Sequence, residues 1–570
     1  MRKIIILVLL LAGAAGAALY ISRSTSPVTS DYYADYLPQD TLATVSLIDL
    51  NGLTDSFPAS TLGKFLAKPT VHGILTELGA KPEAITEYDK IYDDLAGVMT
   101  NPAFRQIFGD DAVLAILSPD ASRLQNEPEQ EMLKSILVFG TSTVSGPMDS
   151  FARLVMSDNV AKENVDGLDI TRIQLDENEV IYGYSENGVL ILAYEPGNLA
   201  AAVKRKSAAD VLQNSASFTA VKKFQAQSAG DREYAETYIN LAAIRALLKS
   251  SNDEDGKQLA KYLQGFNGMG SVIFDRRGEL HVTSRMNYDY AALNDLVKQQ
   301  YQAVSDENLS LGLLTPEALA YYWVSLIDKN YIKELLSATD DKQYKKADAR
   351  VQRELGLSLD EVIDAVGPQA GLVVNEIVNT GLFPLPKVVL YLQIRDHAVA
   401  LKIVDRLRKD IADRGFAAEQ SEEVNGNTIY YWSVLPGEAT QPALVLTDNM
   451  IYAANGKSTL AALVSQESTS GAVPEPMAEV LGDDLVQNIT TSNYTTFVMR
   501  PERLAMEVKD AADWLAGMLA ASNGLSADKL KQELLKLMHS VDVVTVTSTI
   551  QKDFADSSLV FKQVPSKDGK

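Results

Sequence analysis

Gly456-Lys457-Ser458-Thr459 carries the tail of a phosphate-binding loop, lying between a strand-like run and a helix-period segment. Such a loop cradles an anion with backbone amides, and for that it needs a second glycine five residues before Gly456. Ile451 stands there instead. The segment therefore reads as a helix-start turn with Ser458 or Thr459 near the N-cap. Ser251-Asn252-Asp253-Glu254-Asp255-Gly256 resembles half of a calcium loop. Aligning Gly256 with the turn glycine puts Ser251 at the first ligand position and Tyr262 where a bidentate glutamate belongs, so two ligands are missing and a solvated acidic loop is expected.

Gly265-Phe266-Asn267-Gly268-Met269-Gly270 has the wrong glycine order for a dinucleotide fingerprint and precedes a strand instead of following one. It reads as a flexible entry to a strand over 271–274. The four histidines, His72, His281, His397 and His539, show no close metal-ligand spacing. His281 is expected to face solvent, and His397 to open a helix. Lys204-Arg205-Lys206, the compact basic cluster, follows the apolar segment 199–203 and reads as cations favoured at a helix C-terminus. No G-x-S-x-G elbow is present. A carboxylate pair could still hide among the 75 acidic residues. No catalytic residue, metal ligand or cofactor-binding residue is assigned, and no cofactor is expected.

Composition narrows the function classes further. The chain has 570 residues, is 46% hydrophobic and 22% charged, and carries a net charge of −23. That is a folded composition with room for several domains. Both halves are acidic, so neither offers the broad basic surface that a phosphate backbone or an anionic bilayer requires. A nucleic-acid partner is not expected. With no cysteine, disulfides, thiolate metal sites and cysteine nucleophiles are all excluded.

Met1-Arg2-Lys3 precedes an uncharged run from Ile4 to Ile21, which ends at Ser22-Arg23. Eighteen residues at about 1.5 Å each span roughly 27 Å, just enough, at the short end of spanning lengths, for a hydrocarbon core of about 30 Å. The leading positive charges predict a cytoplasmic N-terminus and an exported remainder. Residues 1–23 thus read as a signal anchor or transmembrane helix in a bacterial inner membrane. Cleavage near Ala15-Gly16-Ala17 is the competing reading. Residues 24–36 form a polar tether, and the bulk of the chain is placed in the periplasm.

An internal repeat organises the rest. Val45-Ser46-Leu47-Ile48-Asp49 recurs as Val324-Ser325-Leu326-Ile327-Asp328. In the same order, 109–114 corresponds to 367–372, 135–139 to 387–391, Val165-Asp166-Gly167 to Val424-Asn425-Gly426, and 199–203 to 460–464. About twenty extra residues follow Asp49 in the first copy. The expected domains are 37–288 and 314–565, with a helical spacer over 289–313 and a tail over 566–570. Alternating runs (Leu280, Val282, Ser284 and Met286; Val544 and Val546) read as half-buried strands. Ala400, Ile403, Val404, Leu407 and Ile411 lie on one helical face, and so do Leu504, Val508, Ala511, Leu515 and Met518. Short spacings between apolar runs, at Glu186-Asn187-Gly188 and Asp448-Asn449-Met450, favour hairpins and antiparallel pairing. The fold class is α+β: two tandem copies of a mostly antiparallel sheet with helices packed on one face, behind an N-terminal transmembrane anchor.

The anchor, the opening Leu-Pro-x-Asp-Thr-Leu-Ala-x-Val-Ser-Leu over 37–47 and the later Gly-Asp-Asp-Ala-Val-Leu over 109–114 resemble a family of membrane-anchored bacterial envelope proteins. That family is known as a domain of unknown function. The resemblance implies export and anchoring, and it brings no catalytic residues. The expected function is a non-enzymatic, membrane-tethered envelope protein whose duplicated exported domain binds or scaffolds. A periplasmic carrier of a lipid or other apolar ligand is the alternative, and a carboxylate-based hydrolase a third. The expected partners are the inner membrane through residues 4–21, and an envelope protein or an apolar ligand.

Overall fold

The computed structural model describes residues 31–141, 160–174, 180–206, 208–228, 230–325, 341–379, 384–415, 417–434, 437–465, 471–509, 513 and 526–564. The expected anchor and tail lie outside these residues. No helix among the described residues is long and apolar enough to cross a membrane. The chain divides into two compact units. One is Met1–Asn294 with Leu525–Leu537 and Lys552–Asp556; the other is Asp295–Gly524 with Met538–Gln551 and Ser557–Lys570. The structure departs from the sequence boundaries in three places. Tyr33, Ala34 and Tyr36, expected in the polar tether, are buried in the core of the first unit, because the tyrosine rings pack against Phe139 and Phe218. Helix Asp295–Gln302, expected in the spacer, belongs to the second unit, and two C-terminal segments belong to the first.

The protein is a mixture of helices and antiparallel sheet. The first unit contains β1 (Ala43–Ile48), β2 (Asp111–Ile116), β3 (Ile136–Thr141), β4 (Val160–Val165), β5 (Leu168–Gln174), β6 (Val180–Glu186), β7 (Val189–Ala193), β8 (Arg232–Ile239), β9 (Phe266–Arg276) and β10 (Glu279–Tyr288). Its strands pair antiparallel in the order β4-β5-β6-β7-β3-β2-β1-β8-β9-β10. The second unit contains β11 (Ala320–Ser325), β12 (Val366–Asn379), β13 (Pro384–Ile394), β14 (Glu419–Val424), β15 (Asn427–Trp432), β16 (Ala443–Leu446), β17 (Met450–Ala454), β18 (Thr495–Met499) and β19 (Val541–Ile550), and β20 (Phe554–Gln563) begins within the last segment of the first unit. Here the order is β14-β15-β16-β17-β13-β12-β11-β18-β19-β20. The two orders are the same when read strand for strand.

Backbone hydrogen bonds fix the correspondence to the residue. Leu42 N–H donates to Ile116 O at 2.8 Å, and Leu319 N–H to Val374 O at 2.7 Å. Asn240 N–H donates to Leu42 O at 2.8 Å, and Arg500 N–H to Leu319 O at 2.9 Å. Leu42 and Leu319 therefore hold the same place, and Val45 matches Tyr322, not Val324. The repeated five-residue word is displaced by two residues between the sheets. An even displacement keeps each side chain on its face, so the alternating pattern survives the slip. Residues 326–328 of the second word lie outside the described residues.

Helices cover both faces of each sheet, which corrects the one-face expectation. In the second unit Ile429, Val445 and Tyr452 join Leu460 and Val464 of helix Lys457–Ser465 in one core. Their neighbours Trp432, Leu444, Ile451 and Ala453 point the other way and join Val404 of helix His397–Arg414 in another. Strand side chains alternate sides, so apolar residues at consecutive positions demand cover on both. In the first unit Val113, Ala115, Leu137, Phe139 and Ile191 pack with Leu199 and Phe218. On the opposite face, a Cβ built on Gly140 would lie 2.7 Å from Phe108 of helix Pro102–Phe108. The expected alternation in β19 is likewise blurred, because Thr545 and Thr547 are buried along with Val544.

Candidate functional site

The motifs marked in the sequence resolve into structural parts. Helix Lys457–Ser465 begins one residue before the expected N-cap: Thr459 N–H donates to Gly456 O at 3.2 Å. The start is set by Asn455, whose Oδ1 accepts from Val388 N at 3.0 Å while its Nδ2 donates to Pro386 O at 2.6 Å. This fastens the chain to β13, so the turn falls at Gly456. Lys457 Nζ lies 2.6 Å from Glu422 Oε2 and 4.8 Å from the Tyr431 ring centroid, and the Glu422 carboxylate raises its pKa. The lysine is thus engaged away from any phosphate cradle.

The acidic loop is a helix start. Asp253 accepts from Gly256 N at 2.9 Å and caps helix Glu254–Tyr262. Glu254 and Asp255 occupy the first turn, where the helix dipole favours negative charge. Gly265 precedes β9, and the rest of the glycine-rich segment, from Phe266 on, lies within the strand, which begins five residues before the expected 271. A Cβ on Gly270 would meet Val221 Cγ1 at 2.1 Å, and one on Gly268 would meet Ser217 Oγ at 2.1 Å. Their small size lets helix Ala216–Ser228 approach the sheet.

His281 is buried, against expectation. Register sets it opposite Phe274, and the two rings stack at 5.0 Å. His397 is the first residue of its helix, and His72 Nε2 meets Asp89 Oδ1 at 2.6 Å. Among the described residues no three His, Asp or Glu side chains gather as metal ligands. Lys204 and Arg205 end helix Pro196–Arg205, and with Lys206 they pair with Asp166, Asp210 and Glu186.

The second unit contains a half-open cavity of about 440 Å³. Leu313, Thr315 and Glu317 line it from the segment before β11; Val373, Asn375 and Glu376 from β12; Lys387 and Val389 from β13. Ser458, Thr459, Ala462 and Leu463 complete it from helix Lys457–Ser465. Two features build the polar wall. The β12–β13 register shifts between Val374 and Ile377, a bulge that sets Asn375 and Glu376 together beside Lys387. Lys387 pairs with Glu376. Asn375 Oδ1 is shielded from solvent and accepts no hydrogen bond.

The equivalent corner of the first unit is filled. Counting from the matched Leu42 and Leu319, Tyr36 stands where the second unit has Leu313, and Leu117 where it has Asn375. Tyr36 is 3% exposed, 6.0 Å from the Phe139 ring, and Leu117 packs against the same core. A leucine in place of the tyrosine, and an amide in place of the leucine, open the cavity and make it polar. Of these residues the sequence reading singled out Ser458 and Thr459. A signal for the others existed in Ile116-Leu117-Ser118 set against Val374-Asn375-Glu376, where a polar residue takes an inward apolar position.

No family model matches this chain. No curated protein matches it either. Among solved structures it is similar to crystal forms III and I of TP0453, at 11% and 12% identity, covering 50% and 49% of this chain and 90% of each of those chains, with a TM-score of 0.22. Crystal form IV of TP0453 is similar at 10% identity over 46% of this chain and 81% of that one, again with a TM-score of 0.22. A likeness at that score carries no argument about function.

Proposed function

We propose that this chain is a non-enzymatic cell-envelope protein, held to the inner membrane through residues 4–21. It presents two tandem copies of one α+β unit to the periplasm for binding or scaffolding. The observation that carries the duplication is the common strand order with its matched Leu42 and Leu319 backbone bonds. Two related units offer two related faces, which raises avidity for a repeated partner when both engage. Each chemically suggestive motif is occupied by a structural duty: Lys457 by Glu422, Asp253 by a helix cap, Gly268 and Gly270 by close packing. Protease added to spheroplasts should degrade the bulk of the chain, and full protection overturns the export. Purification of the full chain from detergent-solubilised membranes should return an envelope protein at constant ratio. A buried Asp→Asn or Glu→Gln variant that loses function in vivo, at normal protein level and with partner association intact, overturns the non-enzymatic reading.

A second reading, a periplasmic carrier of an apolar ligand, is favoured by the cavity of about 440 Å³. That volume falls within the range of small-molecule pockets, roughly 300–1,000 Å³. Val373, Val389, Ala462 and Leu463 supply its apolar wall.

A further inference from the structure

We infer that the cavity of the second unit binds an aliphatic amine: an apolar body with a cationic, hydrogen-bond-donating head. The inference rests on the carrier reading and names the ligand class for the same cavity. The first support is the exchange between units. Where Tyr36 and Leu117 close the corner of the first unit, Leu313 and Asn375 leave room in the second, although strand order and backbone bonding are the same. A scaffold that closes this corner in one unit has no need of an opening in the other for the sake of folding.

The second support is the balance of polar groups. Lys387 is neutralised by Glu376; Glu317, an exposed carboxylate at the rim, has no ion-pair partner among the described residues. Asn375 Oδ1 is a shielded acceptor without a donor. A buried polar atom left unsatisfied is destabilising, so a ligand that donates to it recovers that cost on binding. Both groups call for a donor, and Glu317 calls for a positive one. The hydroxyls of Thr315, Ser458 and Thr459 can accept as well as donate. Below this polar rim Val373 and Val389 are buried core residues, ready to receive an alkyl body.

Isothermal titration of the purified full chain with octylammonium, octanol and octanoate, each below its micellar concentration, tests the inference. Saturable binding of octylammonium, at least about tenfold tighter than either other probe, is expected; tenfold is 1.4 kcal/mol. Leu313→Tyr should abolish it by restoring the filling residue of the first unit, and far-ultraviolet dichroism should show the fold retained. Asn375→Leu should weaken binding about tenfold, on the scale of one charge-assisted hydrogen bond. Glu317→Gln should weaken it by about threefold, since an exposed charge is screened. Octanol or octanoate binding as tightly as octylammonium overturns the amine inference and leaves the carrier reading standing. No saturable binding of any probe, or binding unchanged by Leu313→Tyr, overturns both for this cavity.

Discussion

Asp111 opens β2 as a buried carboxylate that accepts from Thr141 Oγ1 at 2.7 Å and from Tyr32 Oη at 3.5 Å. Burial raises its pKa above the ordinary carboxylate value, and the Thr141 and Tyr32 hydrogen bonds offset part of that rise. A carboxyl whose pKa is higher folded than unfolded binds its proton more tightly in the fold. Stability is therefore gained as pH falls from the folded pKa toward the unfolded value near 4, and is lost as pH rises through that window. Asp111→Asn keeps an acceptor and removes the buried charge. It should stabilise the chain at pH 7 by on the order of 1 kcal/mol, the lower end for an uncompensated buried polar group. Urea unfolding at pH 7 and pH 4 checks this: the gain should shrink toward pH 4, and a loss at pH 7 would mean the two hydrogen bonds outweigh desolvation. At this scale the sequence was informative wherever local geometry decides. The incomplete phosphate loop was legible as a helix-start turn and the half calcium loop as incomplete, because a missing glycine or ligand is a local fact; that the acidic residues 253–255 cap and open a helix, where a solvated loop was expected, was not. His281 and Asn375 were not, since the Phe274 stack and the bulge beside Lys387 depend on which strand pairs with which, and at what register.

Elements were legible where turn chemistry is written in two residues. Asp166-Gly167 and Asn425-Gly426 close the hairpins β4–β5 and β14–β15, with φ of 53° and 82° in one and 46° and 77° in the other. Both central residues are left-handed, as a two-residue hairpin matching strand twist requires, and Asn, Asp and Gly tolerate that conformation best. The cover on both sheet faces was less legible, because an apolar run in β16 or β17 shows that two faces are buried without showing what buries them. Among the described strands β4 and β14 each have a single partner, and both are almost wholly exposed. Their sequences, Val-Ala-Lys-Glu-Asn-Val and Glu-Gln-Ser-Glu-Glu-Val, put charge on a bare edge, which discourages pairing with another chain. Replacing Lys162 and Glu163 together by valine removes that protection from β4 without touching the turn. The double variant should remain folded by circular dichroism yet associate with rising concentration in light scattering after size exclusion. A variant that stays monodisperse up to the solubility of the parent would show that the edge is guarded by something other than its charges.

The scale of the whole molecule is where the sequence reading placed a boundary that the contacts do not respect. The repeat ends the first copy at 288, where β10 ends, yet the first unit runs on to Asn294 and also draws in Leu525–Leu537 and Lys552–Asp556. Periodicity within a window has no access to partners more than two hundred residues away. Lys529 N–H donates to Glu77 Oε2 at 2.7 Å, and its Nζ donates to Pro69 O at 3.0 Å. Arg285 makes two hydrogen bonds of 2.7 Å to Asp556, and its guanidinium lies over the Phe554 ring at 3.8 Å and the Phe224 ring at 4.8 Å. Tyr288 N–H donates to Asp553 O at 3.0 Å. A chain ending at residue 524 would leave Arg285 without its carboxylate and β10 without those backbone and side-chain partners. Arg285 is about one-quarter exposed, so its loss falls below the roughly 3–5 kcal/mol measured for breaking a fully buried pair. Asp556→Asn in the full chain isolates the charge, and about 1 kcal/mol is expected for it. Hydrogen exchange followed by mass spectrometry should show lost protection over 279–288 in the truncated chain and a smaller loss in Asp556→Asn, while β4–β7 remain protected in both. Unchanged protection of β10 in the truncated chain would show that the first unit is complete at residue 294 and that the C-terminal segments merely rest on it.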